Sequence, residues 1–368
     1  MVRLYGKSFS REEILRYVGD IAQIARVRHF ELLDGNEKSV EVAQVHTGSG
    51  LVFEILLGRG MDISYVSYKG IPLSWCSQTG TVAAQFFEPE GLGWLRGFHG
   101  GLLTTCGLTY AGAPCTDGDK NLGLHGRISY IPAKVVYMDS FWEGDDYKLV
   151  VKGKMRESMV FGENVSLTRE ISAYAGESRL FIHDIVENMS CYEIEHMIIY
   201  HINIGFPLVD EGSRLLLPSL EVIPRDEEAE KGKTEWNIFS PPVVDFKEKV
   251  YYHRVKPDKN GNVNVALVNA NFNNGENSKG IGIYVKYSIE GLMWFIEWKM
   301  MGVGTYVVGL EPANCQVGGR AKERSEGRLQ YLKPYERKEY KLEIGVLSSI
   351  EEIEDFQKLV NDVLQDSK

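Results

Sequence analysis

The sequence predicts an all-β protein built as a large antiparallel β-sandwich, and three observations carry that prediction. Short runs rich in β-branched and aromatic residues recur along almost the whole chain, separated by glycine, asparagine, aspartate and proline turn chemistry. Between a helix signal at each end no stretch carries helical periodicity, so the strand–helix alternation of a parallel α/β sheet is missing. No repeat of roughly 20 to 50 residues recurs, which disfavours a propeller or solenoid. The 368 residues, 43% hydrophobic and 25% charged, suffice for a large core. With no linker composition in the chain, the expectation is a single sandwich domain spanning residues 1–368.

Taken in order, Ser10-Arg11-Glu12-Glu13 is a capping-box pattern that opens a helical segment over residues 10–19, with Gly19 as its end signal. Strands follow over Ala22–Leu33, Ser39–Thr47 and Gly50–Leu57, punctuated by Asp34-Gly35-Asn36 and Gly48-Ser49-Gly50. The same grammar marks Lys134–Met138, Tyr147–Arg156, Ser166–Tyr174, Arg179–Glu187, His196–Gly205, Val263–Val268, Ile281–Tyr287, Met293–Lys299 and Thr305–Leu310. Polar stretches at Pro224–Trp236 and Asn269–Gly280 read as long outer loops. Ser349-Ile350-Glu351-Glu352 caps a C-terminal helix over 349–365, whose Ile353, Phe356, Val360 and Val363 form an apolar stripe.

A net charge of −10 lacks the cationic surplus that neutralising phosphates requires, so nucleic acid is excluded as a partner and an anionic membrane is disfavoured. There is no signal-peptide pattern and no long apolar run, which makes the cytoplasm the expected location. Five widely spaced cysteines without a C-x-x-C pair indicate neither a disulfide framework nor a zinc knuckle. Oligomeric state is left open.

The chemistry concentrates in four places. In His196-Met-Ile-Ile-Tyr-His201-Ile-Asn203-Ile-Gly205, strand alternation puts His201 and Asn203 on one face with Met197 and Ile199, and His196 on the other with Tyr200. Polar groups on an apolar face need partners or a task, and a satisfied core histidine is the commoner outcome. Gly91–Gly126 carries ten of the chain's 38 glycines and twice sets His before Gly with an arginine nearby: His99 with Arg96, and His125 with Arg127. Such backbone is tolerated mainly where a close approach is needed. Gly58-Arg59-Gly60-Met61-Asp62 puts a charged pair after an apolar strand, and Gly309-Leu310-Glu311-Pro312 puts a carboxylate at a strand end, with Trp298-Lys299 just upstream in the sequence. Nucleotide-binding, zinc-protease and calcium-loop motifs are absent.

Together, Gly58-Arg59-Gly60-Met61-Asp62-Ile63, Leu124-His125-Gly126-Arg127, Tyr200-His201-Ile202-Asn203 and Gly309-Leu310-Glu311-Pro312-Ala313-Asn314 resemble the aldose 1-epimerase (galactose mutarotase) superfamily, in a less characterised bacterial branch. The likeness covers roughly residues 22–347. It implies the supersandwich fold of that group and a mutarotase or epimerase working without cofactor or metal on a small sugar. It implies His201 as general acid, Glu311 as general base, and a sugar contact for His125. Arg59, Asp62, His99, Arg127, Asn203 and Lys299 complete the expected substrate-binding set. If Arg59, Arg96, Arg127 and Lys299 converge, they suit an acidic or phosphorylated sugar. Two rivals stand beside this: a sugar-binding protein of the same fold, using Trp94 and Trp298, and a metal-assisted isomerase or lyase with His99, His125 and Glu311 as ligands.

Overall fold

The computed structural model describes residues 1–273 and 279–366. Its named strands form two large sheets whose ladders are antiparallel, one of eight strands and one of twelve among the described residues. The eight-stranded sheet runs in the order Lys134–Glu143, Asp146–Ser158, Asn164–Tyr174, Arg179–Asn188, Arg337–Leu347, Lys279–Ser288, Asn262–Asn273, Arg214–Leu216. In the twelve-stranded sheet ten strands run in the order Ser219–Pro224, Lys249–Val255, Trp294–Gly302, Thr305–Ala313, Ile194–Gly205, Leu103–Leu108, Asp62–Tyr68, Leu51–Leu56, Glu41–His46, Arg26–Glu31, and two lie off this path, Gln330–Leu332 beside Ile194–Gly205 and Ile71–Pro72 beside Asp62–Tyr68. The predicted all-β sandwich is therefore the observed fold.

Ile194–Gly205 is almost wholly buried, and the predicted alternation holds along it. His196 and Tyr200 point into the space between the sheets: His196 Nε2 lies 2.7 Å from the Tyr340 hydroxyl, and the Tyr200 hydroxyl donates to Asp184 at 2.7 Å. Tyr340 and Asp184 both belong to the eight-stranded sheet. His201 faces the other way, with Met197 and Ile199.

The sheets are tied through a fully buried ionic network. Arg169 grips Asp184 with two charge-assisted hydrogen bonds of 2.9 and 2.6 Å, and reaches across to Thr105 Oγ1 at 2.9 Å and Asp62 Oδ1 at 3.4 Å. Asp62 also accepts from the Thr105 amide and hydroxyl. Burial raises the Asp62 carboxyl to about 6, against the pull of Arg169.

The C-terminal helix is Ile350–Gln365, capped by Ser349, and it lays Ile353, Phe356 and Val360 on Leu216, Ala266, Val268 and Leu347. At the other end the capping box of Ser10 and Glu13 is present, but the helix is short, Arg11–Leu15. Three expectations need correcting. Residues Ala22–Leu33 begin with a 3-10 turn at Ile21–Gln23, fixed by the Asp20 side chain, before the strand Arg26–Glu31. Two short helices, Glu227–Glu230 and Arg320–Ser325, interrupt the stretch read as helix-free. The expected Asn269–Gly280 loop is shorter, because strands run to Asn273 and from Lys279; its centre, 274–278, lies outside the described residues. Among the described residues no helix is long and apolar enough to cross a membrane.

Removing one partner of a buried ion network leaves the others charged and unpaired, which costs about 3–5 kcal/mol. Arg169→Met is expected to lower the unfolding free energy by that amount in urea titrations. A loss below about 1 kcal/mol would mean that the network does not hold the sheets together.

Candidate active site

The strand register builds the site. Pairing of Ile202 with Leu310 and of Ile199 with Ala313 sets His201 beside Glu311 on the outer face of the twelve-stranded sheet. On the next strand Trp298 pairs with Gly309, and beyond it Val250 pairs with Trp298. Gly309 must lack a side chain: a Cβ there would lie 2.7 Å from Glu311 Oε1 and 3.0 Å from the Trp298 Cβ. The carboxyl leans over the space that this glycine leaves free.

Over this floor folds the glycine-rich segment. Leu124 N donates to Gly91 O, His125 N to Gly112 O, and Gly107 N to His125 O, all within 3.0 Å, so the His125 backbone is pinned from three sides. His125 takes a positive φ of 58°, and a Cβ on Gly126 would approach Gly107 O to 2.2 Å. The His-Gly pair is thus a steric requirement of a backbone crossing. Trp94 stacks on Phe98 at 4.7 Å and meets the His125 ring at 4.8 Å. Phe98 and Trp298 each abut the His201 ring at 5.4 Å.

These groups line a cavity of about 380 Å³ whose walls are Trp94, Phe98, Leu124, His125, His201 and Trp298, with Glu311 at the floor and Arg225 and Glu248 at one side. Glu248 bridges two of them, accepting from Trp298 Nε1 at 2.8 Å and pairing with Arg225 at 3.0 Å. His201 Nε2 and Glu311 Oε1 are 3.2 Å apart, within reach of one shared proton.

Burial sets the proton inventory. It raises the Glu311 carboxyl to about 8, helped by the negative charge of Glu248 and opposed by Arg225. It lowers the His201 imidazole to about 3, with His125 adding to the effect and Asn203 opposing it. His125 falls to about 4 by burial. Near neutral pH the unliganded pair is therefore a carboxylic acid beside a neutral imidazole, with one proton between them.

A family model described as a domain of unknown function, DUF4432, matches residues 37–346. The chain belongs to the DUF4432 family. Among solved structures, a candidate aldose 1-epimerase from Klebsiella pneumoniae is 24% identical, with a TM-score of 0.87 over 93% of this chain and 88% of its own. A galactose mutarotase-like protein from Clostridium acetobutylicum is 13% identical, with a TM-score of 0.60 over 89% of this chain and 99% of its own. For a galactose mutarotase related enzyme from Lactobacillus acidophilus the identity is 11% and the TM-score 0.52, over 88% and 98%. At these identities the likeness establishes the fold, which is the galactose mutarotase-like sandwich. A comparison with curated proteins found none that matches.

In this DUF4432 chain the structure brings together His201, Glu311 and His125, while Asn203 is buried two residues along the strand from His201 and does not line the cavity. The other expected ligand contacts fall elsewhere. Arg59 is fully buried, stacks over Tyr130 at 4.0 Å, and donates to the carbonyls of Ser129, Val82 and Gly97. It fastens the loops behind the cavity. Asp62 serves the Arg169 network between the sheets. Lys299 points to the inner side and donates to Glu235 O and Ile238 O, anchoring that segment. Arg127 is exposed over Phe87, and Arg96 pairs with Glu88, both outside the cavity. The four cations do not converge. His99 is buried and does not line the cavity, so the metal set of His99, His125 and Glu311 is not brought together. Sequence reasoning missed Arg225 and Glu248, which lie in or beside polar stretches with no motif around them.

The pH linkage of Glu311 has a definite sign. Its folded value of about 8 exceeds the ordinary 4.5, so between the two the folded chain holds a proton that the unfolded chain has released, and stability falls as pH rises through that window. The stability of wild type minus that of Glu311→Gln should drop by several kcal/mol between about pH 5 and about pH 8.5 in urea titrations. A pH-independent difference would contradict the buried, protonated carboxyl.

Proposed function

We propose that this chain is a mutarotase or epimerase for a neutral monosaccharide, working by acid–base catalysis through ring opening. One observation supports it above the others: two buried titratable groups, His201 and Glu311, stand 3.2 Å apart at the floor of an aromatic-walled cavity of sugar size. Opening a pyranose requires that the anomeric hydroxyl lose a proton and the ring oxygen gain one, so a single acceptor and a single donor serve the reaction.

Transfer of the proton from Glu311 to His201 Nε2 gives carboxylate and imidazolium, the form that resemblance to the aldose 1-epimerases implies. Glu311 then takes the proton of the anomeric hydroxyl while His201 gives its own to the ring oxygen, and the C1–O5 bond breaks. The aldehyde turns about C1–C2. Reclosure on the opposite carbonyl face returns both protons to their starting groups. Trp94, Phe98 and Trp298 offer apolar faces to the ring's C–H groups, and His125 faces the same space. Among the described residues Arg225 is the cation lining the cavity, and its guanidinium is already paired with Glu248 and Asp226. That favours an uncharged sugar over the acidic or phosphorylated one.

Anomer exchange measured by NMR over neutral, acidic and phosphorylated aldoses and ketoses tests the reading. Acceleration is expected with neutral aldoses, reduced about 10²–10⁴-fold in Glu311→Gln, the usual contribution of a positioned acid–base group. The rate should decline above about pH 8, as the pair loses its shared proton. Sugar-induced shifts without acceleration would make the chain a binding protein instead, and a preference for phosphorylated sugars would overturn the neutral-substrate assignment.

A further inference from the structure

Besides Trp94 Nε1 and His125 Nδ1 of the cavity wall and several atoms elsewhere, His201 Nδ1 and Asn203 Oδ1 are buried without a hydrogen-bond partner. Orphaned atoms of this kind are uncommon in a well-packed interior and call for an explanation. His201 Nδ1 and Asn203 Oδ1 belong to residues two apart on one strand, hence to side chains that stand next to each other on the same face.

The Asn203 amide has no freedom to turn over. Its Nδ2 donates to the carbonyls of Gly100 at 3.3 Å and His201 at 3.0 Å, and a flip would set oxygen against two oxygens. Oδ1 is therefore held as an acceptor. Of the two ring nitrogens of His201, Nε2 faces Glu311 and Nδ1 is the one left over. Of the two neutral tautomers, only the one protonated at Nδ1 can use Oδ1 as an acceptor, because a bare lone pair on Nδ1 would repel it.

We propose that Asn203 is the positioning residue of the acid–base pair, its Oδ1 accepting from His201 Nδ1–H so that Nε2 carries the lone pair turned toward Glu311. This rests on the proposed acid–base role of His201 and deepens it. The same hydrogen bond persists in both proton arrangements, because Nδ1 is protonated in the imidazole and in the imidazolium alike. It stabilises the imidazolium more, which matches the direction in which Asn203 acts on the His201 proton affinity. A fixed tautomer is what lets the ring receive a proton at Nε2 and release it to a sugar oxygen without rotating.

The test is two-part. In ¹⁵N-labelled, unliganded wild type, two-bond ¹H–¹⁵N spectra should show His201 with Nδ1 as the protonated nitrogen and Nε2 as the unprotonated one; the opposite assignment would overturn the proposal whatever the enzyme's activity. In Asn203→Leu, which removes the acceptor at similar volume, the Nδ1–H form should give way to a mixture and kcat should fall at least about tenfold. In Asn203→Asp, which restores an oxygen at the same place, the Nδ1–H form should return and the acidic limb of the pH–rate profile should move to higher pH. An unchanged His201 tautomer in Asn203→Leu would also overturn the assignment. The spectra need no substrate, so wild type with the predicted tautomer but no turnover would count against the mutarotase reading and leave the positioning role standing.

Discussion

The alternation of one buried strand organises this molecule. Ile194–Gly205 lies inside the twelve-stranded sheet with both faces covered, so every second side chain must satisfy a different environment. On the inner face Tyr200 and His196 find Asp184 and Tyr340 of the opposing sheet. On the outer face His201 finds Glu311, and Asn203 finds the carbonyls beneath it. A slip of one residue would exchange the two sets, placing a hydroxyl that needs Asp184 under the cavity and the site histidine in the core. The Arg169 network, which ties the sheets at the level of Tyr200, therefore also fixes the strand that presents the site.

Electrostatics and packing act together at the cavity floor. In water near neutral pH a carboxyl is ionised and an imidazole is partly protonated. Enclosed by Trp94, Phe98 and Trp298, both lose their hydration and move to neutral forms, Glu311 upward and His201 downward. Arg225 and Glu248 act in opposition on Glu311, and among the described residues the cation that lines the cavity is engaged by their mutual pairing. Such an environment suits a ligand that brings hydroxyl groups and carries no charge.

Much of the fold was legible in the sequence because strands and turns are written locally. The capping serines at both ends, the period-two strands and the glycine-rich crossing all have local chemical signatures. Of the site, His201, Glu311 and His125 could be picked out because each stands in a local pattern: a polar residue on an apolar face, a carboxylate before a proline, a histidine before glycine in a glycine-rich stretch. Arg59, Asp62 and Lys299 stand in patterns of the same kind for another reason. A buried charge can be required to hold backbone carbonyls or a partner sheet, and that need is indistinguishable in sequence from a ligand's. Arg225 and Glu248 show the converse. They sit among ordinary polar residues, and only the folding of 225–248 against the sheet brings them to the cavity.

The chemistry of the site depends on whether Glu311 keeps its proton near neutral pH, and a titration of the Glu311 carboxyl in the unliganded protein measures that most directly. With ¹³C-labelled glutamate and Glu311→Gln for assignment, the carboxyl resonance of Glu311 should move with a midpoint near pH 8, far from the bulk of the glutamates. A midpoint near the ordinary 4.5 would show an ionised carboxylate throughout the neutral range, and would contradict the claim that burial places one proton between Glu311 and His201.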